Sequence, residues 1–337
     1  MKVLLVNPPF NRLMAAIGQL EPLGLEIIAA SVQPRHQVSF IDLESENRLQ
    51  AKLRKVHPDV VGVTAISVQA STAKQVLAQV KRFDPSIYTV VGGHHVTMVP
   101  EEFSRPDVDA IVLGHGFVSF PALLDAWERG ENPENIPGLA LVRQSGLHYT
   151  PPQRRINIEE MPVPDRSITR PYRRHYDAFK EGRKALVVTS IGCPYRCTFC
   201  TCWKMANGQY ALRSPESIVK EIASLEDDCV FFADDNTFEK VDRAIEMYEL
   251  IKSRGIRKRY GGYARSDTIA RHPELIEKWS EIGLERLVIG MEAVTDEGLD
   301  RVNKRCSMAD NEKAVAVLKR YGVVNIPHFL VRQDFAV

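Results

Sequence analysis

The chain has 337 residues, 44% hydrophobic and 26% charged, with 44 basic against 43 acidic side chains and a formal net charge of +1. That length suits two domains, each able to bury a core, and the charge balance excludes a chain built to neutralise nucleic acid or another polyanion. No apolar run reaches bilayer length, and the opening MKVLLVNPPF lacks a small-residue cleavage site, so it reads as a first strand rather than a secretory leader. Six cysteines without such a leader point to a reducing, cytoplasmic setting, where clustered thiols mean metal or catalysis rather than disulfides.

From residue 2 to about 130, short β-branched runs (3–6, 38–41, 60–67, 88–91, 110–113) alternate with amphipathic stretches (23–31, 49–56, 73–83, 120–129). Five such repeats predict a doubly wound parallel sheet, which binds ligands in the crevice beyond the carboxyl ends of its strands. Those ends read Asn7-Pro8-Pro9, Ser67, Gly92-Gly93-His94-His95 and Gly114-His115-Gly116. Glycines let a backbone approach a ligand closely, so these tips form either a cradle for a large planar cofactor with a phosphate-bearing tail or simply tight β–α turns. The first turn has no G-x-G-x-x-G fingerprint, and no Walker P-loop occurs anywhere.

Residues 136–150 read as a hairpin turning at Gly146. From 151 to 176 prolines and arginines (154, 155, 166, 170, 173, 174) accumulate, which predicts a solvated strap between domains. The organisation expected is therefore 1–135, a linker over 136–180, and a second domain over 181–337.

In the second half, strands are expected at 185–190, 230–233, 260–263, 286–290 and 325–331, with helices at 215–225, 241–253, 273–281 and 311–320. Repeated βα units form an open sheet or a barrel, and in barrels the chemistry gathers at the carboxyl ends of the strands. The first strand runs into Cys193-Pro194-Tyr195-Arg196-Cys197-Thr198-Phe199-Cys200. Iron–sulfur clusters take four thiolates as a rule, so a compact set of three implies a [4Fe–4S] cluster with one iron left for an exogenous ligand. The next tips carry Asp234 and Asp235, then Arg265, Ser266 and Asp267, then Glu292. Singly these acids read as helix N-caps; at successive strand ends after the cysteine loop, they read together as a cofactor site. Cys202 would close the open iron if it ligated, and is expected not to. Cys229 reads as core, and Cys306, in a polar loop, is the remaining thiol with a mechanistic role to consider.

This cysteine spacing, with Phe199 before the last thiol, resembles the signature of the radical S-adenosylmethionine (SAM) enzymes. The resemblance implies that Cys193, Cys197 and Cys200 hold the cluster and that SAM chelates the open iron and is cleaved to a 5′-deoxyadenosyl radical. It further implies that Asp234 and Asp235 receive the cofactor's amino group, Arg265 with Ser266 its carboxylate, Glu292 its ribose, and Phe199 its adenine. The upstream half resembles the cobalamin-binding domain of the cobalamin-dependent radical enzymes in the NPP after strand one, Pro22-Leu23-Gly24-Leu25, the GGHH tip and the glycines after strand five. That implies cobalamin contacts at Asn7, Ser67, Gly92, Gly93, His94, Gly114 and Gly116. The D-x-H-x-x-G motif is absent, implying base-off cobalamin without that histidine ligand. Relatives carry Gly-Glu-Gly-Glu where this chain has Gly114-His115-Gly116-Phe117, so no acidic role transfers there.

The fold expected on this resemblance is a Rossmann- or flavodoxin-like cobalamin-binding sheet followed by a partial TIM-like (β/α)6 radical SAM barrel, the chain stopping soon after its fifth barrel strand as though truncated. The activity implied is methylation of an unactivated carbon: one SAM methylates cobalamin, and a second gives the radical that abstracts hydrogen from the substrate. The GHGF tip and the TCWK run after the cysteines resemble the hopanoid C-3 methylases, implying a lipid substrate and peripheral membrane contact; otherwise the substrate is a small molecule. An electron donor such as flavodoxin or ferredoxin is implied as partner, and no nucleic acid. Two other readings stay open: a cobalamin-containing radical cyclase or oxidoreductase without methyl transfer, and a non-catalytic cobalamin-binding or electron-transfer iron–sulfur protein.

Overall fold

A computed structural model describes residues 1–10, 19–153, 157–177 and 184–331. The chain forms two compact units, Met1–Gly182 and Arg183–Val337.

The first unit contains β1 (Lys2–Asn7), α1 (Leu23–Val32), β2 (Gln37–Asp42), α2 (Leu49–Val56), β3 (Val60–Thr64), α3 (Ala70–Phe83), β4 (Tyr88–Gly92), α4 (His94–Met98), β5 (Ala110–Val112), α5 (Gly116–Glu128), β6 (Leu139–Arg143) and β7 (Gly146–Tyr149). Their sheet runs β2-β1-β3-β4-β5-β6-β7. The first five strands are parallel, and the β6–β7 hairpin adds two antiparallel strands at one edge. Successive side chains of a strand point to opposite faces, and the unbroken apolar run of β1 serves both. Leu4 and Val6 enter one core cluster, Val3 and Leu5 the other. Helix α3 buries Ala70, Ala73, Val76, Leu77 and Val80, the three-and-four spacing of one helical face. The chain winds from β1 to β2 on one side and to β3 on the other, so the topological switch point lies between β1 and β3, where such sheets bind ligands.

The segment read as a solvated strap belongs to this unit instead. Tyr172 meets the Phe40 ring edge-on at 5.6 Å, and the Tyr176 hydroxyl donates to Asp42 Oδ2 at 2.8 Å. Arg166 Nε and Arg173 Nη1 donate to Glu21 Oε1 at 3.1 and 2.8 Å. Glu21 is buried, so two of the strap's arginines are drawn in to neutralise a buried carboxylate. Arg170 and Arg174 stay exposed, and Arg154 and Arg155 lie outside the described residues.

The second unit contains β8 (Lys184–Val187), β9 (Ser190–Ile191), α6 (Cys202–Met205), β10 (Ala211–Leu212), α7 (Pro215–Ser224), β11 (Cys229–Phe232), α8 (Val241–Ser253), β12 (Arg259–Ala264), α9 (Ser266–Arg271), α10 (Pro273–Glu281), β13 (Leu284–Glu292), α11 (Asp296–Arg301), α12 (Met308–Arg320) and β14 (Val324–Phe329). Five parallel strands follow one another in sequence order, β8-β11-β12-β13-β14. Sequential winding with one hand of crossover puts the helices on one face, and there one core cluster collects. Trp279 of α10 is at its centre, edge-on to Phe232, Phe238 and Tyr260, with its indole N–H donated to Ala244 O at 3.0 Å. The strand expected over 185–190 is interrupted after Val187, and β9 leaves the main sheet to pair antiparallel with β10. Helix α12 starts at Met308, before the expected 311, because Ser307 and Asp310 form a capping box. The last six residues, 332–337, lie outside the described residues.

Candidate functional site

The cysteine loop leaves β9 through Gly192, whose φ of +81° is in the left-handed region and whose missing Cβ would overlap Gln209 O. Pairing of Ile191 with Ala211 brings the far end of the excursion back beside its start. Within it the Cys197 carbonyl accepts from Cys200 N at 3.2 Å and from the Trp203 indole N–H at 3.1 Å, while the Arg196 guanidinium lies 4.8 Å over the Trp203 ring. Cys197 is buried, Cys193 and Cys200 half-buried, and all three are free thiols. Burial pushes the Cys193 thiol up to about 11. A hydrogen bond from Cys202 lowers Cys200, and the same bond, with burial, raises Cys202. Among the described residues no three His, Cys, Asp or Glu side chains converge tightly enough to hold a single ion. Three soft thiol donors on one loop are the ligand type that iron–sulfur clusters take.

The strand tips beside the loop divide their tasks. Asp234, after β11, is 2% exposed. Its Oδ1 accepts from Thr189 N and Ser190 N at 2.6 and 2.9 Å, and its Oδ2 from Thr189 Oγ1 at 2.5 Å. Burial pushes this carboxyl up, and those hydrogen bonds oppose the push. Both oxygens are therefore engaged in fixing the break between β8 and β9, from which the cysteine loop springs. Asp235 is exposed instead and close enough to raise the Cys193, Cys200 and Cys202 thiols.

Arg265, after β12, is 5% exposed. Its guanidinium stacks 3.5 Å from the centre of the Tyr195 ring, inside the cysteine loop, pairs with Asp267 Oδ1 at 2.8 Å and donates to Lys304 O at 2.5 Å. Its charge opposes the rise at Cys193. Ser266 is buried, with its hydroxyl toward the Cys306 thiol. Glu292 ends β13 at φ +64°, a left-handed conformation unusual for a side-chain-bearing residue. Its Oε1 accepts from Lys304 Nζ at 2.9 Å, both side chains being under a tenth exposed. A Cβ on Gly290 would overlap that carboxylate, so the glycine of the G-x-E run makes room for the pair. Phe199 is 40% exposed.

Lys304 is the residue that reading the sequence missed. In Asn303-Lys304-Arg305-Cys306 it resembles any solvated loop cation, and no local pattern marks it as buried. The same loop clasps the cysteine segment, through Asn303 Nδ2 to Arg196 O at 2.9 Å and Thr198 N to Val302 O at 3.0 Å.

In the first unit Asn7 and Ser67 flank the switch point. Asn7 is buried, donating to Asp42 Oδ1 at 3.1 Å and accepting from Gln69 Nε2 at 3.0 Å; Gln69 Nε2 also donates to Pro8 O and Thr72 Oγ1 to Pro9 O, which fixes the NPP turn. Ser67 is exposed, its Oγ 3.2 Å from His95 Nδ1, and His94 is exposed. Gly93 at φ +109° lies so close to Ala65 that a Cβ would come within 2.7 Å of its carbonyl oxygen. Gly114, at φ +72°, opens the turn into α5, and Gly116 begins that helix. The large apolar side chains of Ile66 and Val99, in the turns after β3 and α4, are exposed with them. A flat apolar ring system with polar edges fits backbone tips of this kind.

Comparison with known proteins follows the same division. Residues 14–124 match the B12 binding domain and residues 187–331 the radical SAM superfamily. The chain is 30% identical, over 99% of its length, to the hopanoid C-3 methylase of Methylococcus capsulatus. It is 30% identical, over 98% of its length, to the anaerobic magnesium-protoporphyrin IX monomethyl ester cyclase of Rubrivivax gelatinosus. It spans 65% and 62% of those two proteins. The solved structure of the cobalamin-dependent SAM radical enzyme OxsB with aqua-cobalamin bound superposes with a TM-score of 0.83 at 18% identity, over 98% of this chain and 49% of that one.

Proposed function

We propose that the chain, whose residues 14–124 match the B12 binding domain and 187–331 the radical SAM superfamily, is a cobalamin-dependent radical methyltransferase acting on an unactivated carbon. The observation carrying the proposal is one cluster of side chains: three free thiols on a loop held by Asp234, with Asp235 and Arg265 beside them. When bound, cluster-ligated SAM supplies a hydrogen-abstracting radical and cobalamin supplies the methyl group. Cys193, Cys197 and Cys200 hold the cluster as thiolates, and Cys202 stays a non-ligating neighbour. Exposed Asp235 accepts from the ammonium of SAM, Arg265 with Ser266 faces its carboxylate, Glu292 accepts from its ribose hydroxyls and Phe199 covers its adenine. Asp234 acts one step removed, by fixing the loop. Ser67, Gly92, Gly93, His94, Gly114 and Gly116 would hold cobalamin, with Asn7 fixing the turn below, in a base-off form and without a D-x-H-x-x-G histidine, which the sequence lacks.

The likeness to hopanoid C-3 methylase makes a polycyclic lipid the first substrate to test. A small-molecule substrate, a flavodoxin- or ferredoxin-type electron donor and a cytoplasmic location belong to the same proposal. Peripheral membrane contact goes with a lipid substrate; among the described residues no helix is long and apolar enough to cross a membrane. The likeness to an anaerobic cyclase favours one second reading, radical chemistry without methyl transfer.

Anaerobic reconstitution followed by incubation with reductant and methyl-labelled SAM tests the proposal. Cobalamin and cluster absorbance, 5′-deoxyadenosine and label in the product are expected, and Cys197→Ala should lose the cluster bands while keeping those of cobalamin. 5′-Deoxyadenosine with unlabelled product would favour the cyclase reading. A folded chain that takes up no cobalamin, or forms no 5′-deoxyadenosine, would overturn the proposal.

A further inference from the structure

We propose that Lys304 is the positioning residue of the cofactor site: its ammonium aims the Glu292 carboxylate at the tip of β13, and its backbone ties that tip to Arg265. Glu292 has two features that cost free energy on their own. It is a carboxylate with little access to water, and it sits at positive φ without being glycine. Both persist only where surroundings over-determine them: the backbone is held by the β13–β14 pairing, with Leu330 N donating to Glu292 O at 3.0 Å, and the carboxylate by Lys304 Nζ at 2.9 Å from Oε1.

Three observations give the arrangement a purpose beyond packing. Gly290 carries no side chain at the one place where a Cβ would collide with both Glu292 and Lys304. The Lys304 carbonyl accepts from Arg265 Nη2, and Arg265 reaches the cysteine loop by stacking on Tyr195. Neighbouring Asn303 holds the Arg196 carbonyl in the same loop. The two cofactor-facing side chains on the tips of β12 and β13 are thus oriented by one lysine, through its ammonium on one and its carbonyl on the other. Glu292 Oε1 is engaged by Lys304, so Oε2 is the oxygen left to accept from a ribose hydroxyl. A carboxylate locked at one oxygen is a better-ordered acceptor at the other, as with the outer partners that orient metal ligands.

The inference rests on the reading of Glu292 as the ribose-facing acid, and the test separates the two. The full chain, with its cluster reconstituted, is titrated with SAM and with its 2′-deoxyribose analogue by equilibrium dialysis. The electron paramagnetic resonance signal of the reduced cluster is recorded with and without each ligand. Wild type should prefer SAM over the analogue and change its signal on binding. Lys304→Met should keep its iron content yet bind SAM about 10- to 100-fold more weakly and lose the preference for the ribose hydroxyl, with Lys304→Arg restoring most of both. Should Lys304→Met fail to load iron, Lys304→Gln, which keeps a donor without the charge, takes its place with the same outcomes. A neutral variant that binds and discriminates like wild type would overturn the role of Lys304 while leaving the Glu292 reading intact. If wild type itself does not discriminate, or Glu292→Gln leaves discrimination unchanged, the ribose reading fails and the inference with it.

Discussion

Asp234 and Asp235 are adjacent carboxylates with opposite fates, decided by what each can reach. Asp234 is buried and accepts three hydrogen bonds from Thr189 and Ser190, whereas Asp235 stands in water beside the thiols. An asparagine at 234 loses the charge and, with one oxygen replaced by a donor, cannot accept all three bonds. Hydrogen bonds to charged groups contribute roughly 1.5–3 kcal/mol. Asp234→Asn should therefore destabilise the protein by about 1–3 kcal/mol in denaturant titration and lower its iron content after reconstitution. Asp235→Asn should leave both unchanged and weaken SAM binding alone. Equal stability losses in the two variants would show that the neighbours do not divide the work in this way. The sequence marks both acids, because each follows an apolar strand opposite the cysteine loop. It cannot rank them, because their difference lies in Thr189, a contact 45 positions away. Lys304 is hidden for the same reason: burial of a loop cation depends on Glu292 and on the absence of a side chain at Gly290.

At the scale of elements, the stretch 157–177 shows how composition misleads. Proline and arginine suggest solvent, yet the segment lies along α1 because two acids are buried there, Glu21 just ahead of the helix and Glu26 within it. Glu21 receives Arg166 and Arg173, while Glu26 receives the Thr169 hydroxyl. Burial, together with the nearby Glu21 charge, raises Glu26 to about 9. An acid whose folded value is raised is protonated in the native state and ionised in the unfolded chain between the two values. Its stabilisation is present below the ordinary value of 4.5 and is lost as pH rises toward 9. Melting temperature should fall across that window, and Glu26→Gln, which copies the neutral form and keeps an acceptor for Thr169, should flatten the fall. Near pH 5 the variant should match wild type, and by pH 9 it should be the more stable of the two. A variant whose melting profile parallels wild type throughout would mean that Glu26 is ionised in the native protein. Glu26 occupies a position in α1 that reads as the polar side of an amphipathic helix, so only the docked strap explains why it is buried. By contrast, the strand–helix alternation of both halves is legible directly, since β-branched runs and three-and-four spacing are local properties.

For the whole molecule, the decisive fact is that apolar burial is partitioned. The first unit packs a cluster on each face of its sheet, containing Leu53 and Leu77 on one side and Leu123 on the other. The second packs its helices onto one face around Trp279, with Leu275 and Ile276 beside it. Cooperative unfolding follows shared cores, and separate cores within one chain depart from two-state behaviour. Each core can then be weakened by itself. Leu53 and Leu275 are both fully buried, one in each unit, and trimming a buried leucine to alanine costs about 2–5 kcal/mol. Calorimetry of the reduced, cluster-free chain should show two transitions. Leu53→Ala should lower only one of them and Leu275→Ala only the other, and a double variant should show the sum, as for sites that share no core partners. Cofactor loading extends the argument: a ligand that binds only the folded state raises the transition of the unit that holds it. Cobalamin should therefore raise the transition sensitive to Leu53→Ala, and cluster assembly the one sensitive to Leu275→Ala. A single transition moved by both substitutions would show instead that the two cores unfold as one cooperative body, and that their stabilities cannot be assigned separately to the two halves of the sequence.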